Sequence, residues 1–272
     1  MRIAIQGERG AYSEAAALEH FGPGTDVLPC ETFEQAFDAV ENGQADGGLL
    51  PIENSVAGSI HRNYYLLLQH QLWIVGEHHL RVRHCLIAHA GVAMPEIKRV
   101  ISHPQALAQC GLFLRSLPGV QTAVVYDTAG SVKMVREQGD RTVAAIASRR
   151  AAEVYEMAVL AEGIEDDPAN FTRFLAIARE PVVPAGDSKT SIVFAMRNLP
   201  GALFKAMSAF ALRDIDLTKI ESRPLVGKVW EYLFYVDFAG STGDEAVTRA
   251  LDNLREYASL LRVLGSYSRH RL

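Results

Sequence analysis

Four short polar stretches hold the residues most able to do chemistry. Glu53-Asn54-Ser55 sets a carboxylate, an amide and a hydroxyl in a row directly after an apolar run. Ser102-His103-Pro104-Gln105, with Gln109 one helical turn on, adds a hydroxyl, an imidazole and two amides. Asp127-Thr128-Ala129-Gly130-Ser131 offers another small polar loop, and Asn170-Phe171-Thr172-Arg173-Phe174 holds a hydroxyl and a cation between two phenylalanines. Such groups orient anions and move protons; none of them carries electrons. Each also has a plainer explanation. Ser13, Ser59 and Ser102 suit helix N-caps, His103 suits a loop, and Arg173 suits an edge strand in solvent.

Other chemistries find no footing. The chain has no Gly-x-Ser-x-Gly elbow and no His-Glu-x-x-His pair, and its helix-opening loops lack both GxGxxG and the Lys-Ser/Thr of a phosphate loop. His78-His79 and His84-Cys85 are adjacent pairs, which a strand sends to opposite faces, so they form no metal cluster. The expectation is a site with no metal and no cofactor.

The elements that must position these groups alternate. Short apolar runs at 2–6, 47–52, 99–102, 122–126, 143–147 and 171–178 read as strands. Between them, 13–20, 59–70, 104–117, 129–138 and 149–157 read as helices, and Thr32 with Gln35 resembles a capping box. Residues 73–88 read as extended. This alternation predicts an α/β class with parallel sheets, in which ligands sit beyond the carboxyl ends of the strands. The polar stretches follow strands and lead into helices, whose N-termini suit carboxylates. Residues 180–187, with Pro181, Pro184 and Gly186, read as a linker. Beyond them strands at 189–196, 217–223, 229–238 and 261–267 and helices at about 200–212 and 244–257 give the order βαββαβ, a ferredoxin-like fold.

The chain has 272 residues with net charge −5, divided as −8 over residues 1–187 and +3 over the remainder. The balance argues against a nucleic-acid binder but not against an anionic small substrate. Three widely spaced cysteines make no disulfide framework, no apolar run is long enough to span a membrane, and the N-terminus has no signal-peptide core, so a cytoplasmic setting is expected.

Taken together and in order, residues 51–59, His103-Pro104-Gln105-Ala106-Leu107 with Gln109-Cys110, residues 127–131, and Asn170-Phe171-Thr172-Arg173-Phe174 resemble the signature segments of prephenate dehydratases. Asn198-Leu199-Pro200-Gly201-Ala202-Leu203 and Glu221-Ser222-Arg223-Pro224 resemble the two phenylalanine-binding motifs of their ACT domains. The resemblance implies a two-lobed, periplasmic-binding-protein-like catalytic domain over 1–180, with lobes of about 1–76 plus 160–180 and 77–159. A regulatory ACT domain over 188–272 would follow. No chorismate mutase segment precedes them, so a monofunctional enzyme is expected.

By that resemblance the activity is a carbon–oxygen lyase converting prephenate to phenylpyruvate, inhibited by L-phenylalanine. It would be homodimeric or homotetrameric through its ACT domains, with no nucleic-acid or membrane partner. Thr172 is the family's key residue, a donor to the leaving hydroxyl aided by Glu53 or by water, and Arg173 is placed on the pyruvyl carboxylate. Asn54, Ser55, Ser102, His103, Gln109, Thr128 and Phe174 would line the substrate site. An arogenate dehydratase, a non-catalytic amino-acid sensor and a dinucleotide-dependent dehydrogenase are the rivals; the last lacks its glycine fingerprint.

Overall fold

The computed structural model describes residues 1–197, 199–225 and 231–271. They form two compact units, Met1–Asn63 with His78–Phe174, and Tyr64–Glu77 with Leu175–Leu272. In the first unit the opening strands and helices are β1 (Arg2–Gln6), α1 (Tyr12–Phe21), β2 (Asp26–Cys30), α2 (Phe33–Glu41) and β3 (Gly47–Asn54). A short β4 (Gly58–Ser59) pairs back on β3, and α3 (His61–Gln69) and β5 (Trp73–Arg81) follow. Thr32 caps α2 as expected, accepting from the Gln35 amide, but the Gln35 side chain reaches the Glu31 amide, not Thr32.

The second lobe contains β6 (Cys85–Ala88), β7 (Arg99–Ser102), α4 (Pro104–Gln109), α5 (Gly111–Arg115), β8 (Gln121–Val124), α6 (Thr128–Gln138), β9 (Val143–Ala147), α7 (Arg149–Val154) and β10 (Ala158–Glu162). The chain then returns through β11 (Phe171–Ala178) to the first sheet, ordered β2-β1-β3-β11-β5; β5 and β11 both run on into the second unit. The second sheet is ordered β10-β6-β9-β7-β8. The expectation of parallel sheets holds only partly. β7 is parallel to β8 and β9, whereas β6 is antiparallel to both β9 and β10. Strand β10 escapes the sequence reading because its residues are only half-buried and follow a helix with no turn signal.

The single helix expected over 104–117 is two. Buried Cys110, at φ −116° and ψ 26°, ends α4, and the Asp166 carboxylate accepts from the Leu112 amide to start α5 anew. Val132, Val135, Ala145, Ala147 and Ala151 form the core on one side of this second sheet, and Leu86, Val100, Ala144 and Ile146 that on the other.

In the second unit β12 (Ser188–Met196), α8 (Ala202–Ala211), β13 (Leu217–Pro224), β14 (Tyr232–Ala239), α9 (Glu245–Tyr257) and β15 (Ala258–Ser268) give βαββαβ in the sheet order β13-β14-β12-β15. That is the ferredoxin-like arrangement. Residues 226–230, where part of one strand was expected, lie outside the described residues. Phe194, Phe210, Phe238 and Leu254 fill the core between sheet and helices.

One boundary differs from the sequence reading. Residues 64–77, expected in the catalytic domain, pack with the C-terminal residues. Arg262 donates to the carbonyls of Leu68, His70 and Leu72, and Tyr235 donates to that of Tyr64. Gly265 lies so close to Ile74 that a Cβ would fall 2.0 Å from its carbonyl oxygen. Local periodicity carries no sign of these contacts, since the partners lie nearly two hundred residues apart.

Candidate active site

The polar loops meet in the first unit around a cavity of about 390 Å³, within the range of small-molecule sites. Each loop is held by its own sequence chemistry. Gly10 has φ +85°, and a Cβ there would stand 2.7 Å from the Ala151 backbone, so only glycine lets the loop before α1 approach α7. Ser148 donates to the Gly10 carbonyl, and buried Glu14 accepts from the Gly10 amide while pairing with Arg150. Ala11 gives α1 no side-chain cap, so its first-turn amides at Tyr12 and Ser13 remain for an anion, and both residues line the cavity. His103 and Asp127 cap α4 and α6 at the same cavity.

A directed hydrogen-bond chain crosses the site. The backbone fixes its sense: the Val56 and Ala57 amides both donate to Asn54 Oδ1, so the other side-chain atom is Nδ2. Asn54 Nδ2 donates to Asn170 Oδ1 at 2.8 Å and to Thr172 Oγ1 at 3.0 Å. Gln109 must then direct its Nε2 to Asn54 Oδ1, at 3.4 Å, and its Oε1 to His84 Nε2, at 2.9 Å. His84 therefore carries its proton on Nε2, and Tyr12 donates to Nδ1 at 2.8 Å. Burial pushes the Tyr12 phenol well above its ordinary value and draws the His84 imidazole down, so both stay neutral near pH 7. Thr172 Oγ accepts from this chain, which leaves its own proton to be donated into the cavity.

The structure gathers some of the expected residues and not others. Asn54, His103, Gln109, Thr128, Thr172 and Phe174 line the cavity together. Arg173 and Glu53 do not. Successive strand residues point to opposite faces, and Thr172 and Phe174 face the cavity, so Arg173 between them faces away; Glu53, preceding Asn54, does likewise. This corrects both the arginine clamp and the carboxylate aid to Thr172. Ser55 joins β3 to β11, donating to the Ala169 carbonyl and accepting from the Phe171 amide. Ser102 is fully buried and donates to the Ile146 carbonyl. These two serines hold the framework. Tyr12, His84 and Asn170 were missed. Asn170 stands in the singled-out segment 170–174 but was given no role there, and only the fold brings Asn170, and through Gln109 also His84 and Tyr12, into the bonds around Asn54.

A family model described as prephenate dehydratase matches residues 3–182, and one described as ACT domain matches residues 190–256. The chain belongs to the prephenate dehydratase family. It is a lyase, a dehydratase with an ACT domain at its C-terminus. Among relatives of this dehydratase, an arogenate dehydratase/prephenate dehydratase of Arabidopsis thaliana is 52% identical over 98% of this chain and 72% of its own. The solved prephenate dehydratase of Arthrobacter aurescens, in complex with L-Phe, has TM-score 0.91 and 32% identity over 99% of this chain and 90% of that one. A structure described as a novel type of quorum quenching acylase has TM-score 0.92 and 37% identity over 99% and 98%. The Arabidopsis relatives are named chloroplastic, and this overturns the cytoplasmic expectation. Cys30, Cys85 and Cys110 are free thiols, which carry no address.

In the dehydratase's ACT domain a smaller cavity of about 220 Å³ is lined by Leu199, Gly201, Ala202 and Leu203 of the first expected motif, with Arg197, Phe204 and Tyr232 among the rest. Asn198 lies outside the described residues. Pro200 is exposed beside the cavity without lining it, and Glu221, Ser222, Arg223 and Pro224 lie on β13, an edge strand separated from β12 by β14. One chain thus does not bring the two motifs together. Glu221 and Arg223 pair with each other at 3.7 Å.

The chain of bonds gives a direct test. Tyr12→Phe removes the hydroxyl that sits between His84 Nδ1 and the Arg83 carbonyl, and kcat should fall roughly 3- to 10-fold, about the worth of one neutral hydrogen bond. KM should stay within a factor of two. Unchanged kcat would disconnect Tyr12 from Thr172.

Proposed function

We propose that residues 1–180 carry out a decarboxylating dehydration of prephenate to phenylpyruvate, and that 188–272 bind L-phenylalanine and regulate it. The same chemistry turns arogenate, the amino-acid analogue, into phenylalanine, and the relatives' names favour keeping both. The observation that carries the reading is Thr172 Oγ held as an acceptor by Asn54, with its proton directed at the cavity. As the ring carboxylate leaves as CO2, its electron pair becomes ring π density and the C–O bond breaks. Hydroxide then departs as water once protonated. Thr172 is too weak an acid to supply that proton outright. It stabilises the charge growing on the leaving oxygen, and the bonds behind it strengthen its donation. Amide links in the chain pass polarisation and not a proton, so the proton of the product water comes from solvent.

Carboxylates of the substrate are received by backbone amides, chiefly at α1, because none of the described lining residues is lysine or arginine. That choice suits decarboxylation: a tight cation on the ring carboxylate would stabilise the ground state more than the transition state. The purified protein, incubated with prephenate at neutral pH without cofactor, should yield phenylpyruvate, read by absorbance in alkali, and with arogenate should yield phenylalanine. Conversion of neither would overturn the proposal.

For regulation, phenylalanine is proposed to bind at the turn before α8, between ACT domains of two copies. Leu199, Leu203, Phe204 and Tyr232 are exposed apolar residues around that cavity, and a second copy would cover them and bring in its β13 motif. An effector at such a joint acts only through unequal binding to two states. Gly201 has φ +75°, which a β-branched residue scarcely adopts. Gly201→Val should therefore abolish phenylalanine inhibition, shifting the half-inhibitory concentration at least about 10-fold, while kcat without effector is retained. Undiminished inhibition would move the effector elsewhere.

A further inference from the structure

We propose that the Asp127 carboxylate recognises a substrate ammonium, so that the enzyme prefers arogenate, whose side chain ends in an α-amino acid, over the α-keto acid prephenate. The inference rests on the dehydratase reading above and asks which substrate fits its cavity. Asp127 stands where two cavities meet. It lines the one that holds Thr172, and also an adjoining one of about 510 Å³ to which Gly7, Glu8, Pro29, Cys30 and Glu31 contribute.

Its two oxygens differ. Oδ1 accepts from the Gly130 amide at 2.7 Å and caps α6. Oδ2 lies over Gly7, 3.4 Å from where a Cβ would sit, and Gly7 holds φ +112°, a conformation that keeps side chains away. The Gly130 and Ala129 amides thus tie the carboxylate to the fold, and Asp127 lines the adjoining cavity beside Gly7.

The surroundings supply no fixed cation for that oxygen. Among the described residues lining either cavity there is no lysine or arginine. Lys133 sits nearby but is engaged by Glu8, at 3.3 Å, and the Tyr126 hydroxyl donates to the same carboxylate. His103 is the imidazole whose charge would act on Asp127, and Glu8 acts against it. Burial accordingly raises the Asp127 carboxyl above its ordinary value. A half-buried anion held by backbone amides, with no lysine or arginine among the described lining residues, is matched by an ammonium. Both substrates bring two carboxylates; arogenate adds an ammonium that compensates Asp127, whereas prephenate brings only a neutral carbonyl there and leaves Asp127 uncompensated.

Acids and amides separate these cases, because Asn and Ser cap helices as Asp does. The measurement is kcat/KM on arogenate and on prephenate for the intact enzyme, Asp127→Asn and Asp127→Ser. The intact enzyme should favour arogenate. Both variants should shift the arogenate-to-prephenate ratio toward prephenate by about 10- to 100-fold, the worth of one hydrogen bond to a charged group. Most of the shift should be a loss on arogenate, with some gain on prephenate. An intact enzyme favouring prephenate overturns the inference. So does a ratio left unchanged by both variants, or a parallel loss on both substrates, which would make Asp127 a helix cap alone. Turnover of neither substrate by the intact enzyme would instead overturn the dehydratase reading, and this inference with it.

Discussion

Replacing Thr172 by alanine should lower kcat by about 10²–10⁴, the range for a lost proton-donating contact, with KM changed by no more than a few-fold. The expectation follows from the direction of the bonds, not from proximity alone. Asn54 Oδ1 is occupied by two backbone amides, so Asn54 can only donate to Thr172, and Thr172 can only donate outward. The alanine variant keeps β11 in place, because Thr172 contributes no other side-chain bond among the described residues. Its cost should therefore appear in the chemical step. Thr172→Ser, which keeps the hydroxyl, should recover most of the rate, whereas Thr172→Val, which keeps the shape, should not. Equal activity of the valine and serine variants would remove the hydroxyl from the mechanism. Steady-state rates at neutral pH, with circular dichroism to confirm folding, decide the matter.

The contrast between Thr172 and Arg173 shows what was legible in the sequence. The segment 170–174 stands out as a site only together with the other polar loops, since alone its arginine also suits an edge strand in solvent. Which of the two faces the substrate depends on the phase of the pleat, and one residue of phase exchanges every role. Phe174 was read as lining the cavity, and period-two alternation then requires Thr172 with it and excludes Arg173. The same argument separates Asn54 from Glu53. Tyr12 and His84 were not legible at all. They sit 72 residues apart, at the first residue of α1 and just before β6, and meet only through the folded sheets. Helix starts were clear because Pro104, Asp127 and Ser148 are local signals, and the α8 turn was clear because of Pro200-Gly201. The mixed direction of the second sheet was hidden, since a strand's own residues do not say whether its neighbour runs with it or against it.

Unpairing Lys189 should be the most destabilising single change among the described residues outside the two cores. Lys189 Nζ lies 2.8 and 2.9 Å from the two oxygens of Glu77, and the two side chains are 8% and 0% exposed. The His270 amide donates to the same carboxylate at 3.1 Å. Lys189 begins β12, Glu77 lies on β5, and both belong to the second unit. Lys189→Met fills a similar volume but takes the ammonium away from the buried Glu77 carboxylate, which costs about 3–5 kcal/mol. The unfolding midpoint should drop by on the order of 10 °C. Replacing both partners, Glu77→Gln with Lys189→Met, should restore most of that loss, because the cost lies in the unpaired charge and not in the missing attraction. The same geometry changes what a deletion means. Cutting the chain near Ser188, the expected start of the ACT domain, would strip Lys189, Tyr235, Arg262 and Gly265 from residues 64–77. The truncated chain should then be unstable before it is unregulated. Regulation is better probed with Gly201→Val in the intact protein. A truncated chain that is soluble, melts cooperatively and keeps full activity would show that residues 64–77 need no partner, and that the Glu77–Lys189 pair contributes little to the fold.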